Sequence, residues 1–425
     1  MIKNKINMKK LNLLLAIIFI VTSGYSQSDW HEQNSGVNNY LFDVHFINQS
    51  EGWISGNTGL ILHTTDGGIS WENLEAPANN TYYSIFFADE YNGWATGFGG
   101  KIINTYDGGE TWNMQNPGSS QFLYDIFFLD ENTGWAVGGD GGNYPSFISQ
   151  REILHTNDGG QTWTHQLNES HKSPLKSVHF SSFDNGYAVG ETGTILHTTD
   201  GGSTWTEVIY DQAYHMHDVF TTNSNTAFVI AYYLGLPHVP AIFKTTDGAE
   251  SWSSQTFSED LSLSSIYFSD EMNGWAAGGQ NGSAVLLKTT DGGENWEYDY
   301  PSNGDYLTKV FFTDNQTGWA VGGSGTVLAT AAFFTGFEDI TQDKNISVYP
   351  NPATSFINVN LNNLSGNNMN LNIFNMNGQL VYTASDLNLA ENQGVQISVE
   401  KLKKGIYQMV LTDASNSFSE KIVVN

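Results

Sequence analysis

The sequence predicts an all-β chain: a closed ring of seven four-stranded sheets, then a smaller β-sandwich. Three observations predict it. First, Asp-Gly-Gly-x-x-Trp returns six times, opened by Asp66, Asp107, Asp158, Asp200, Asp247 and Asp291 and closed by Trp71, Trp112, Trp163, Trp205, Trp252 and Trp296, with Ala249 replacing one glycine. The steps of 41, 51, 42, 47 and 44 residues match a four-stranded blade rather than a helical repeat. Second, each period holds the same four short pieces, plainest as LFDVHF (41–46), GWISG (52–56), LILHTTD (60–66) and the strand opening at Trp71. All are β-branched or aromatic and bounded by Gly, Asn and Asp.

Third, the copies do not tally. Seven first strands end at Phe46, Phe87, Phe128, Phe180, Phe220, Phe268 and Phe312, and seven second strands open at Gly52, Gly93, Gly134, Gly186, Ala227, Gly274 and Gly318. The seventh third strand, at 326–330, has no box behind it, whereas Asp29-Trp30 stands alone. The N-terminal strand is therefore expected to complete the seventh blade and remove the edges an open array would expose. This is a seven-bladed β-propeller with N-terminal strand closure. All 12 tryptophans occupy repeated slots and are expected to be inter-blade packing units. Truncating one, as in Trp163→Ala, is expected to cost about 3–5 kcal/mol.

Within the box, the aspartate can accept backbone N–H bonds of the turn, and the glycines allow positive φ. A ring of calcium sites is the weaker reading, because the boxes lie in separate blades. The box, the Gly-Trp strand and the sevenfold count resemble the Asp-box (bacterial neuraminidase repeat) propellers, and among them the photosystem II assembly and stability factors, over residues 29 to about 332. That resemblance implies boxes between third and fourth strands, opposite the usual ligand face, serving as scaffold. It also implies a chaperone-like binding platform.

The ends indicate where the chain works. Lys3, Lys5, Lys9 and Lys10 precede an apolar run from Leu11 to Val21, with small residues at Gly24 and Ser26. Residues 1–26 read as a secretory signal, since the run is about half a membrane span. No other stretch reads as a transmembrane segment, so none is expected in the mature chain. The ring is expected over 27–332, a linker over 333–345, and a second domain over 346–425. That domain shows YPNP (349–352), a turn at Asn377-Gly378, Lys404-Gly405-Ile406-Tyr407 and a terminal strand from Lys421 to Asn425. Together these resemble the type A C-terminal sorting domain of the type IX secretion system. The resemblance implies an immunoglobulin-like β-sandwich, the type IX machinery as partner, and a secreted or cell-surface location.

Charge narrows the partners. Nine of the 16 basic and five of the 44 acidic residues lie in the two ends, so the ring keeps 7 and 39, a formal charge of about −32. Nucleic acid is excluded, because phosphate binding needs a basic stripe. Cysteine is absent, which excludes thiol catalysis and zinc-thiolate sites. No cofactor is expected: the glycine-rich GGDGGN (138–143) lacks the lysine and helix of a phosphate loop.

Candidate ligand residues follow from unequal repeat lengths. Extra residues fall at 138–152, 164–175, 207–218 and 231–240, expected to be loops on the face opposite the boxes. They hold Tyr144, Tyr210, Tyr214, Tyr232 and Tyr233, which suit stacking on a sugar or a protein partner, and Arg151. His215, His217 and Asp218 have metal-ligand types. His63, His155 and His197 share one slot of the third strand, which favours packing.

Three functions are open on these residues. The first is a secreted or surface-located binding or adhesion module for an unknown glycan or protein. An extracellular glycoside hydrolase would need only two well-placed carboxylates. A cell-envelope assembly or scaffold factor is the third. Sialidases with such boxes grip a carboxylate with three arginines, and this chain has one, Arg151. Xyloglucan-cleaving relatives work between two propellers, and this chain has room for one.

Overall fold

The computed structural model describes residues 30–77, 80–141, 149–236, 238–258, 260–301, 304–330, 346–361, 366–375, 380–389, 394–412 and 417–424. The signal segment, the linker, Tyr144 and the Asn377-Gly378 turn lie outside them.

Seven antiparallel four-stranded sheets stand in a ring, and six are consecutive in sequence, as in Leu41–Phe46, Gly52–Gly56, Leu60–Thr64 and Glu72–Glu75. The seventh takes its outer strand, His31–Asn34, from the other end of the chain. That strand pairs with Thr326–Ala329, Gln33 opposite Val327. Trp30 then packs edge-on against Phe312 at 5.6 Å, the contact that box tryptophans make in other blades. It is the missing box tryptophan.

One aromatic unit repeats between blades. The tryptophan of a Gly-Trp strand stacks flat on the first-strand phenylalanine of the next blade: Trp53 on Phe87 at 3.5 Å, Trp94 on Phe128 at 3.8 Å, Trp135 on Phe180 at 3.7 Å and Trp319 on Phe46 at 3.5 Å. The box tryptophan meets the same phenylalanine edge-on, as Trp163 does Phe128 at 6.1 Å. The two kinds of tryptophan therefore differ in burial. Gly-Trp rings are at most 1% exposed. Trp71, Trp112, Trp163, Trp205, Trp252 and Trp296 are only partly buried. His63, His155 and His197 lie against the Gly-Trp-strand rings Trp53, Trp135 and Tyr187.

The glycine of Gly-Trp has a steric cause. A Cβ on Gly134 would sit 2.5 Å from the Phe128 ring, and one on Gly52 would sit 2.4 Å from that of Phe46. In blade five the partner of Ala227 is Thr221, not Phe220. The expected equivalence of Phe220 with Phe46 is thus off by one residue. With a small side chain at 221, the alanine at 227 fits.

The segments expected as loops are largely strand. Blade three lengthens to Gly134–Gly141, Ser149–Thr156 and Thr164–Ser170, and blade five to Tyr214–Thr221 and Ala227–Tyr233. Added residues continue an existing ladder, where their backbone groups are already satisfied.

The C-terminal strands form two sheets, one of Ile346–Tyr349, Phe356–Leu361 and Val395–Ser398, the other of Gly366–Asn375, Leu380–Leu389, Gly405–Thr412 and Ser417–Val424. Both contribute to one core around Ile357, Leu371, Met409 and Ile422. Asn351 of YPNP clasps the last strand, donating to the Lys421 carbonyl at 2.6 Å and accepting from Val423 N–H at 2.8 Å.

Candidate functional site

The first strands line the axis of the ring, and in all seven blades a β-bulge interrupts their pairing, as between Leu41 and Asp43. A bulge places two successive residues toward one side. Three tiers result. At the mouth on the face opposite the boxes stand Phe42, Tyr83, Tyr124, Lys176, His217, Ser264 and Thr308. One residue deeper comes a polar tier of Asp43, Ser84, Asp125, Ser177, Asp218, Ser265 and Lys309. Two residues further lies a collar of His45, Phe86, Phe127, His179, Phe220, Tyr267 and Phe311, toward the box face.

The polar tier joins neighbouring blades. Ile85 N–H donates to Asp43 Oδ2, Val178 N–H to Asp125 Oδ2, and Ile266 N–H to Asp218 Oδ2, each at 2.9 Å and each from the next blade. Ser84 Oγ lies 2.8 Å from Asp43 and 2.9 Å from Asp125, and Ser177 Oγ donates to Asp218 at 2.8 Å. Lys309 reaches across the axis to both carboxylate oxygens of Asp218 at 3.4 Å. Burial pushes Asp43 and Asp125 up, Asp125 to about 6, against the pull of the Lys309 ammonium. Burial opposes the charge on Lys309, but Asp218, Asp43 and Asp125 outweigh it and raise its pKa.

The collar is closed. Its seven rings touch in sequence with centroids 4.3 to 5.6 Å apart, from His45–Phe86 round to Phe311–His45. Burial lowers His45 and His179 to about 3, so both are neutral at physiological pH. Between collar and polar tier lies a cavity of about 240 Å³.

At the mouth, aromatic rings run in an arc over blades one to three. Tyr40 meets Phe42 at 4.9 Å, Phe42 meets Tyr83 at 5.3 Å, and Tyr83 meets Tyr124 at 5.4 Å. Phe122 and Phe98 continue the arc, the latter 53% exposed. Lys176 Nζ stands 3.7 Å above the Tyr124 ring and 3.2 Å from Glu191. His217 is open to the mouth, yet surrounding protein and the Lys176 charge lower its pKa.

The residues singled out in the sequence fare unequally. Tyr210, Tyr214 and Tyr233 gather at blade five, with Tyr210 and Tyr214 around Phe243 and Tyr233 against Tyr214, while Tyr232 stacks on His238. Arg151 is 2% exposed and pairs with Glu169 at 2.5 Å and Glu207 at 2.6 Å. Two carboxylates thus already hold the guanidinium of this candidate ligand residue. Of His215, His217 and Asp218, which have metal-ligand types, the Asp218 carboxylate is tied to Ser177, Ile266 and Lys309. Among the described residues no three His, Asp or Glu converge as a metal site. The axial tiers were missed. Aligning the seven first strands would have exposed a polar residue at the same position in every one, Asp43, Ser84, Asp125, Ser177, Asp218, Ser265 and Lys309.

Each box aspartate is locally saturated. Asp158 accepts from Thr156 Oγ1 at 2.9 Å, from Thr162 N–H at 2.8 Å and from Thr162 Oγ1 at 2.6 Å, and the other five repeat this with their own neighbours. The first box glycine accepts from the preceding blade: Trp94 Nε1 donates to the Gly159 carbonyl at 2.9 Å and Trp53 Nε1 to that of Gly108 at 2.9 Å.

Comparison with known proteins agrees with this geometry. The family model described as photosynthesis system II assembly factor YCF48 matches residues 22–114 and 118–260, more than half of the chain. The secretion system C-terminal sorting domain matches 347–425. No curated protein matches. Among solved structures, YCF48 from Cyanidioschyzon merolae is 21% identical, covering 71% of this chain and 98% of that one with a TM-score of 0.56. A structure of YCF48 bound to D1 peptide is 20% identical, covering 71% and 97%, with a TM-score of 0.56. The GH74 enzyme of Niastella koreensis is 12% identical, covering 93% and 74%, with a TM-score of 0.55. At such identities the likeness concerns the fold. By its propeller the chain belongs to the YCF48 family of photosynthesis system II assembly factors, and its tail is a secretion system sorting domain that marks it for export.

Proposed function

We propose that this protein is an exported, non-catalytic binding module that presents the axial mouth opposite the boxes to a protein segment outside the cell. The observation that carries the reading is the arc Tyr40, Phe42, Tyr83, Tyr124, Phe122 and Phe98, which offers ring faces and edges beside one cation, Lys176. Such rings supply large contact area at low entropic cost. Tyr210, Tyr214, Tyr232 and Tyr233 belong to the proposal as an outer rim on the same face. The axial carboxylates accept backbone N–H groups of neighbouring blades, which favours binding over acid–base chemistry. A relative of the same fold binds a D1 peptide, which supports a polypeptide as the ligand class.

The test is a peptide and polysaccharide array probed with the intact chain and with Tyr83→Ala/Tyr124→Ala, alongside a reducing-sugar assay. Peptide retention that falls at least tenfold in the double variant is the expected result. Retention unchanged by the substitutions, or sugar release that scales with enzyme, would defeat it.

A further inference from the structure

The chamber between polar tier and collar has a chemistry the binding face does not use. Seven aromatic rings close around it without a gap, and both of its histidines are neutral. Aromatic ring faces are the negative side of the ring quadrupole, so a cation seated over the face of a collar ring would be attracted. The floor has the same preference, with three aspartates facing one lysine. Lys309 lines the chamber and its charge is felt by His45 and His179, but it does not sit over a collar ring. Its ammonium sits at Asp218 in the floor, and the cations found over rings among the described residues are Lys176, Lys244 and Lys288, none over a collar ring.

Size is consistent. The cavity of about 240 Å³ exceeds the ~150 Å³ known to accept a benzene-sized guest. Collar and floor are two strand residues apart, roughly 6–7 Å, so one ammonium can touch the rings and still feel the carboxylates. An anion would meet the floor's negative charge. A neutral apolar guest would strip water from the carboxylates and return nothing.

We propose that the chamber binds one organic monocation, an alkylammonium group caged by the collar with its charge toward the carboxylate floor, brought either by a small free compound or by a basic side chain of a partner. The test is calorimetric titration of the intact chain, at constant ionic strength, with tetramethylammonium, with N-acetyl-lysine methylamide, and with neutral 3,3-dimethylbutan-1-ol. At least one cation binds, at least tenfold more tightly than the alcohol. Phe127→Leu keeps the volume apolar but removes a ring, and weakens binding roughly tenfold. Tetramethylammonium binding alone assigns a free compound; lysine-derivative binding alone assigns a partner's side chain. Equal affinity for the alcohol, indifference to Phe127→Leu, or failure of both cations to bind at millimolar concentration would overturn the proposal.

Discussion

Replacing Trp135 by alanine tests what holds one blade to the next. Its ring is fully buried, stacks on Phe180 of blade four at 3.7 Å, and packs with Val137, Leu175 and Leu196. Its Nε1 donates to Gln166 Oε1 at 3.2 Å. Deleting a buried Trp typically costs about 3–5 kcal/mol, and the upper half applies here because two sheets pinned by their own ladders cannot collapse into the gap. Trp163 shares the repeat but is partly exposed, touches Phe128 only edge-on, and bonds Gln115 at 2.9 Å. At about 25 cal/mol per Å² of apolar surface lost, its truncation is worth roughly 1.5–3 kcal/mol, below the figure the repeat alone suggests. Urea unfolding followed by tryptophan fluorescence separates the two, because all 12 tryptophans lie between residues 30 and 319 and the signal ignores the tail. Trp135→Phe adds a control that keeps a stacked ring and loses the hydrogen bond, about 1–2 kcal/mol. If Trp163→Ala proves as costly as Trp135→Ala, flat inter-blade stacking is not the dominant contact.

Gly134→Ala drives a Cβ to 2.5 Å from Phe128 and is expected to cost about 1–3 kcal/mol. Adding Phe128→Thr recreates the Thr221/Ala227 pair of blade five, so a double-mutant cycle should show strong positive coupling, and additivity would refute the steric account. Removing residues 27–34 takes away Trp30, four ladder residues and the bond from Gln33 to the Gly67 carbonyl. It bares the edge at Thr326–Ala329, and light scattering should show concentration-dependent association. A monomer with unchanged unfolding midpoint would mean that closure contributes nothing.

The ring could be read because each blade repeats its contacts. The count of seven rests on the seven first and second strands and the closure on the unmatched Asp29-Trp30, and closure follows physically from Trp30 taking the edge-on place beside Phe312. What the repeat hid is position within it. Blade five lacks both Gly-Trp and its phenylalanine, so matching Phe220 by type slid the alignment by one and concealed the collar. Arg151 and the His215–Asp218 segment drew attention as rare residue types. Whether a rare side chain faces a ligand depends on its partners, here cross-strand Glu169 and, from the next blade, Glu207 for the arginine, and those pairings are set by register and blade packing rather than by composition.

The axial tier also explains why Lys309 is there. Six times an acceptor in one blade takes an N–H from the next: Asp43 from Ile85, Ser84 from Ile126, Asp125 from Val178, Ser177 from Val219, Asp218 from Ile266 and Ser265 from Val310. Aspartate and serine alternate. The seventh junction holds a lysine, which cannot accept; Val44 N–H turns to its own Asp43 at 2.8 Å, and Thr308 Oγ1 spans the seam to the Leu41 carbonyl at 2.8 Å. The lysine thus forgoes a clasp and supplies charge to three buried carboxylates. Lys309→Ser would restore the acceptor and remove the cation, so the two roles separate. At neutral pH it should destabilise the ring by about 3–5 kcal/mol, the cost of leaving buried charge uncompensated. The sign with pH is definite. Asp125 is already raised to about 6, so the folded state holds a proton the unfolded chain releases near 4, and stability falls as pH rises between those values. Without Lys309 the window extends to higher pH, and the deficit of the variant against the parent should shrink on acidification toward pH 4. A variant equally or more stable at pH 7, with no added pH dependence, would show that the junction needs the acceptor and the carboxylates do not need the charge.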